Sequence, residues 1–242
     1  MKKINQVILL VAMFLTSAGC TLDGCFRKEG GTREKTNYFE GVSVIEVHGT
    51  FNIELVQDTA FFIEAIAPEL ALEDIEYVFS DTTLGIYNYN NCFWRRDIDK
   101  PDLRIHIDDI DELNVFEASN FYSTDSISDE FKFTVRTNIS EADLVFNAPS
   151  VYFYINKHSG GSYVFRGKTG AAFFMNFNTG LFDMQDLECK KARVHNYSVI
   201  DMKVNVVDHL WVEIYNSGNI LYKGSPNIII DTLTSSGRPL PF

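Results

Sequence analysis

The chain holds little that would mark a catalyst. Its 242 residues include only four cysteines, five histidines and six prolines. No C-x-x-C or H-x₃-H spacing joins the cysteines and histidines, so no metal site is expected. A Gly-x-Ser-x-Gly elbow, a Walker loop and a His-Glu-x-x-His motif are all missing. Positive charge is scarce as well: 21 Lys and Arg face 33 Asp and Glu, for a net charge of −12. A nucleic-acid partner needs a clustered basic excess and is therefore not expected. No apolar run approaches the roughly 20 residues of a membrane-spanning helix. With 45% hydrophobic and 14% aromatic residues, what is present has a globular composition.

The first twenty residues read as an address. Lys2 and Lys3 precede an unbroken apolar run of nine residues at 7–15, VILLVAMFL. Nine helical residues span about 14 Å, which suits the core of a secretory signal and not a bilayer. Ser17-Ala18-Gly19-Cys20 follows, small residues ahead of a cysteine as a lipoprotein signal peptidase accepts. We therefore expect a signal peptide at 1–19 and lipidation at Cys20. Lipid on Cys20 would anchor the chain to the outer membrane, facing the periplasm or the exterior. Cleavage removes two lysines and no acid, taking the charge from −12 to −14. Residues 20–38 read as a polar tether, and residues 39–242 as one domain.

Export places the remaining cysteines where disulfides form. Cys25 lies in the polar N-terminal stretch, and Cys92 in the loop-like Asn90-Asn91-Cys92-Phe93-Trp94. We pair Cys25 with Cys92, the alternative being that both stay reduced. Cys189 reads as a buried thiol.

The body alternates apolar and polar residues with period two, as in Phe51-Asn52-Ile53-Glu54-Leu55 and Leu210-Trp211-Val212-Glu213-Ile214. Such segments are half-buried strands. The one helical candidate is a turn or two after Pro68. From Leu113 onward, small polar residues recur at Ser119, Ser140, Ser159, Thr179, Ser198, Ser217 and Ser236, at intervals of 19 to 21 residues. Four of the seven are followed directly by glycine. A repeat of this length made of short strands cannot bury its own apolar face, but stacked repeats can. The expected fold is all-β: a single-stranded right-handed parallel β-helix with coils of about 20 residues. Length over period gives ten or eleven coils, in a rod of roughly 45–50 Å at the strand spacing. A β-sandwich would account for the strands but not for seven corners in one phase. The exposed ends of such a rod need protection. The prolines of Arg238-Pro239-Leu240-Pro241 would supply it at one end, the tether or a first hairpin at the other.

These residues resemble the putative auto-transporter adhesin, head GIN domain family. The best match is Tyr215-Asn216-Ser217-Gly218-Asn219-Ile220-Leu221-Tyr222-Lys223-Gly224-Ser225-Pro226. Asn90-Asn91-Cys92-Phe93-Trp94, the segment Asp102-Leu103-Arg104-Ile105-His106-Ile107 and the early Cys25-Phe26 also match. Corners such as Tyr197-Ser198-Val199 lack the family's glycine. The resemblance implies a β-helical fold in an exported, often lipid-anchored protein.

Two features remain as candidate chemistry. The acidic run Asp108-Asp109-Ile110-Asp111-Glu112 could hold Ca²⁺ or supply acid/base carboxylates, but reads first as a charged turn. Tyr152, Tyr154, Phe174, Trp211 and Tyr215 fall near one phase of successive coils. If they point outward they form an aromatic platform for sugar rings or a protein. The expected binding surface is Tyr152, Tyr154, Trp211 and Tyr215, with no catalytic residue and no cofactor. The expected function is non-enzymatic adhesion to a glycan or envelope protein. The alternative is a β-helical polysaccharide lyase or hydrolase.

Overall fold

The computed structural model of the protein describes residues 30–90, 99–136 and 139–242. Cys20, Cys25 and Cys92 lie outside these residues, as does the signal segment.

Period-two alternation becomes long strands that bend as they go. The central three are β11 (Ile139–Ile155), β12 (Gly160–Asn176) and β13 (Thr179–Asn196). Buried and exposed side chains alternate along most of their length. Each strand lies parallel to the next, with Tyr152 beside Phe173 and Phe173 beside Arg193. The same pairing extends backward to β10 (Phe131–Val135), β9 (Asn120–Tyr122) and β8 (Glu112–Val115). It extends forward to β14 (Met202–Ile214), β15 (Ile220–Lys223), β16 (Asn227–Leu233) and β17 (Pro239–Pro241). The result is a β-solenoid of about 6 turns with roughly 20-residue spacing. Two straight ladders form its broad faces. One runs through β8, β10, the second halves of β11 to β14, and β16. The other runs through β9, the first halves of β11 to β14, β15 and β17.

The recurring small residues sit at a stacked corner. The Ser119 amide donates to Ser140 Oγ at 3.3 Å, and the Gly218 amide to the Ser198 carbonyl at 3.1 Å. A corner frees backbone groups that need new partners. Buried asparagines supply them. Asn176 Oδ1 accepts from the Asn178 amide at 3.2 Å, and its Nδ2 donates to the Gly180 carbonyl at 2.9 Å. Asn196 does the same for the Ser198 amide at 2.9 Å and the Ile200 carbonyl at 3.0 Å. Gly161 is needed at its corner for two reasons. Its φ is +125°, and a Cβ there would overlap the Ser140 carbonyl oxygen of the coil below.

Between the ladders the core is rich in phenylalanine. The Phe153 ring lies 4.7–5.3 Å from those of Phe133, Tyr163, Phe165 and Phe182. Tyr163 is fully buried, and its hydroxyl donates to the Gly160 carbonyl at 2.6 Å. Phe174, expected to be a possible member of an outward ladder, is also in this core at 0% exposure.

The N-terminal third departs from simple winding. It contains β1 (Thr32–Tyr38), β2 (Val44–His48), β3 (Asn52–Gln57) and β4 (Phe62–Pro68). Helix α1 (Glu69–Glu73), β5 (Ile75–Ser80), β6 (Thr83–Asn88) and β7 (Asp102–Ile107) follow. Strand β2 is sandwiched between β6 and β8, and β3 between β7 and β9. The first coil of the chain is thus second in the stack, beneath a coil made later. Antiparallel pairings β5–β6, β4–β7 and β1–β4 then close that end. Hairpins therefore take the place of several of the ten or eleven coils expected. The second ladder is nevertheless eleven strands deep among the described residues, or about 48 Å at the usual spacing. Seven residues expected in the tether, 32–38, form the outermost strand of that ladder.

At the other end, β17 bonds to β15 through the Arg238 carbonyl and the Phe242 amide. Alternation turns the nitrogens of Pro239 and Pro241 toward the open edge, where proline offers no donor.

Gly161→Ala should lower unfolding stability by at least about 2 kcal/mol. Gly31→Ala should be nearly neutral, since the methyl it adds would meet no atom within 4 Å. Phe153→Ala should cost about 3–5 kcal/mol. Urea unfolding of the three variants checks all of these.

Candidate binding surface

Register converts sequence spacing into columns of outward side chains. On the first ladder one column reads Lys132, Tyr152, Phe173, Arg193, Trp211 and Ile229. Two residues along, the next reads Thr134, Tyr154, Met175, His195, Glu213 and Thr232. At the edge of this face a third column carries Phe177, Tyr197 and Tyr215. Phe177 stacks on Tyr197 at 4.4 Å, and Tyr197 on Tyr215 at 4.2 Å with planes 2° apart. The four expected surface aromatics therefore all lie on one face, half-buried, but in three columns.

Tyr152 and Trp211 meet at one place. They line a hollow of about 300 Å³ together with Phe173, Ala171, Ala172, Lys191, Ala192 and Arg193. Its floor is low because Ala171 stands in the register position where the next two coils carry Lys191 and His209. Tyr154 lies beside it, its ring 5.3 Å from Phe173 and 5.7 Å from Lys132 Nζ. Arg193 sits 5.9 Å from the Trp211 ring, and His209 stacks on that ring at 5.6 Å. Arg193 is also held by carboxylates, Glu213 at 3.6 Å and Asp231 at 3.4 Å. Among the described residues Lys191 has no such partner.

Glu213 organises the side of this face. Tyr215 donates to its Oε2 at 2.8 Å, and that bond to the carboxylate pushes the phenol up to about 12. His195 Nε2 lies 3.2 Å from Oε1. Burial lowers the His195 pKa, against the opposing pull of Glu213. Phe173 meets the His195 ring edge-on at 4.8 Å.

Spacing alone left Phe173, Lys191, Arg193, Phe177 and Tyr197 out of the candidate surface. The last two were within reach, since Phe177, Tyr197 and Tyr215 each stand one or two residues before a corner Thr or Ser.

The second ladder carries a different cleft, of about 410 Å³, among Asn52, Glu54, Asp102, Arg104, Asn120 and Tyr122. Its polar groups bond one another. Asn52 donates to Asp102 at 2.9 Å, and Asn120 to Asn52 at 3.1 Å. Glu54 accepts from Thr124 at 2.7 Å and from Arg104 at 3.0 Å, and those bonds lower its pKa. Such a carboxylate is held ionised, unlike a general acid. The acidic run forms the turn before β8, where Asp109 has a φ of +51°. Glu112 pairs with Lys132 at 2.9 Å and Arg136 at 3.3 Å. Among the described residues no group of three His, Cys, Asp or Glu is placed to hold a metal. Cys189 is a free, fully buried thiol whose pKa burial pushes up to about 12.

Fold and surface define a β-solenoid with one aromatic face. Residues 42–226 match the family described as putative auto-transporter adhesin, head GIN domain, and the chain belongs to it. A crystal structure of a putative adhesin from Bacteroides fragilis is similar, with a TM-score of 0.77 at 14% identity. The likeness covers 88% of this chain and 97% of that one. A putative adhesin from Parabacteroides distasonis is similar with a TM-score of 0.65 at 15% identity, over 88% and 98% of the two chains. A third structure, called a putative lipid binding protein from the same species, has a TM-score of 0.54 at 15% identity, over 88% and 97%. At these identities the likeness is one of fold. No curated protein matches the chain.

The His195 shift has a consequence for acid stability. In the unfolded chain a histidine takes its proton near pH 6.5. Native His195 takes it only at a lower pH. Stability from this group is therefore full above pH 6.5 and falls as pH drops toward the native value. His195→Phe should flatten that part of the stability–pH curve, measured by thermal unfolding between pH 7.5 and 5.

Proposed function

We propose that the chain is a lipid-anchored protein of the cell envelope. Its solenoid presents the aromatic face as a non-enzymatic surface for adhesion to a glycan or a protein. The observation that carries this reading is the hollow framed by Tyr152, Phe173 and Trp211 on three different coils of one rigid ladder. Rings fixed on a sheet lose little freedom when a ligand lands, so their contact area is converted efficiently into affinity. Family membership supports an adhesive role, and adhesion requires access to the cell surface or envelope. The self-bonded carboxylates of the second cleft favour binding over hydrolysis, because a glycosidase needs one carboxyl kept protonated. Cys20 would provide the anchor and the following residues the tether, holding the acidic rod away from the lipid.

The double variant Trp211→Ala, Tyr215→Ala should lose glycan-array or envelope-extract binding that the wild type shows, with an unchanged melting temperature within a few degrees. Absence of binding by the wild type to every glycan and extract would overturn the adhesive reading. Cys20→Ser should abolish incorporation of labelled palmitate and release the chain from the membrane fraction. Protease shaving of intact cells then distinguishes an exterior from a periplasmic position.

A further inference from the structure

We propose that the hollow over Ala171 is a subsite for an acidic sugar, a pyranose carrying a carboxylate, within a chain that runs along the solenoid axis. This rests on the adhesive reading above and names its ligand class.

Three observations converge. The first is shape. Exposed Ala171 leaves a depression of about 300 Å³, at the small end of ligand sites, over the backbone of the buried Ala172 and Ala192. The second is the kind of wall. Tyr152 and Phe173 offer ring faces and edges on adjacent coils and Trp211 does so two coils further, across Arg193, suited to the C–H faces of sugar rings. Coils are stacked about 4.8 Å apart, close to the length of one pyranose, so a polysaccharide laid along the axis meets each coil once. The third is charge. This protein is strongly acidic, at −12, yet two cations, Lys191 and Arg193, line the hollow. Glu213 and Asp231 offset Arg193, whereas Lys191 has no ion-pair partner among the described residues. A carboxylate on the ligand would complete Lys191. A neutral sugar would leave its charge unused, and a flexible acidic peptide has no rigid ring faces to lay on Tyr152, Phe173 and Trp211.

The test is titration calorimetry on the full chain with hexagalacturonate and with an α2,8-linked sialic acid hexamer as probes. Cellohexaose and hexaglutamate serve as comparisons. One or both acidic saccharides should bind, and added salt should weaken them. Lys191→Ala and the hollow-filling Ala171→Phe should each weaken binding at least tenfold. Lys190→Ala, which removes an adjacent charge outside the hollow, should change it less than threefold. Ala171 is exposed, so melting curves of its variant should match the wild type. Failure of both acidic probes to bind, or equal binding by Lys191→Ala and Ala171→Phe, overturns the assignment. Binding of cellohexaose that Trp211→Ala abolishes and Lys191→Ala spares also overturns it, while leaving the adhesive face standing. Hexaglutamate binding as tightly as the saccharides would overturn the sugar class in favour of an acidic protein.

Discussion

Everything in this molecule depends on one constraint: each coil must satisfy the backbone of the coil beneath it. A lone winding of about 20 residues has open edges on both sides and no buried face. Stacking supplies both at once, but only if the windings keep register. The corners are where register would slip, and there the chain invests its specific chemistry. Asn176 and Asn196 turn an inward amide back onto the backbone, closing the bend from inside. Gly161 lets one coil approach the next more closely than a Cβ permits. A ladder pinned in this way fixes the outside as firmly as the core, which is why Phe177, Tyr197 and Tyr215 stack face to face on a solvent-accessible edge.

The same constraint explains what could be read from the sequence. Corners announce themselves, because few residues tolerate them, so the period and fold class were legible from Ser119 to Ser236. Outward positions were harder. The offset between β11 and β12 is 21, pairing Tyr152 with Phe173 and Tyr154 with Met175. A fixed period of about 20 carries Tyr154 to Phe174 instead, and one residue of error sends a side chain to the opposite face. Phe174 is accordingly core, while its neighbour Phe173 lines the hollow. Lys191 and Arg193 escaped for another reason: a lysine or arginine on a strand looks like any solvated residue until its neighbours are known.

The N-terminal arrangement was illegible because it is not local. Val44 pairs with Thr83 on one side and Glu112 on the other, separations of 39 and 68 residues. No period in the sequence records such an insertion. Its logic appears only at the rod's end, where parallel winding would leave two ladders open. Reversing the chain through β4, and again through β5 and β6, places antiparallel strands there. The outermost of them, β1, is polar and mostly exposed along its length, a sequence suited to an edge that should recruit no further strand.

This division of the chain also orders its assembly. From β8 onward, neighbouring strands are about one coil apart in sequence, so pairing closes short loops at low entropic cost. The interleaved coil cannot form that way, since β2 and β3 need partners made both after and well after them. Nearest-neighbour propagation therefore favours a start in the regular part, with the phenylalanine cluster around Phe153 as its densest contact. The aromatic hollow belongs to that same part, spanning β11 to β14. The face proposed to meet a ligand is thus built on the segment whose stacking is most local, and its rigidity does not wait on the closure of the end.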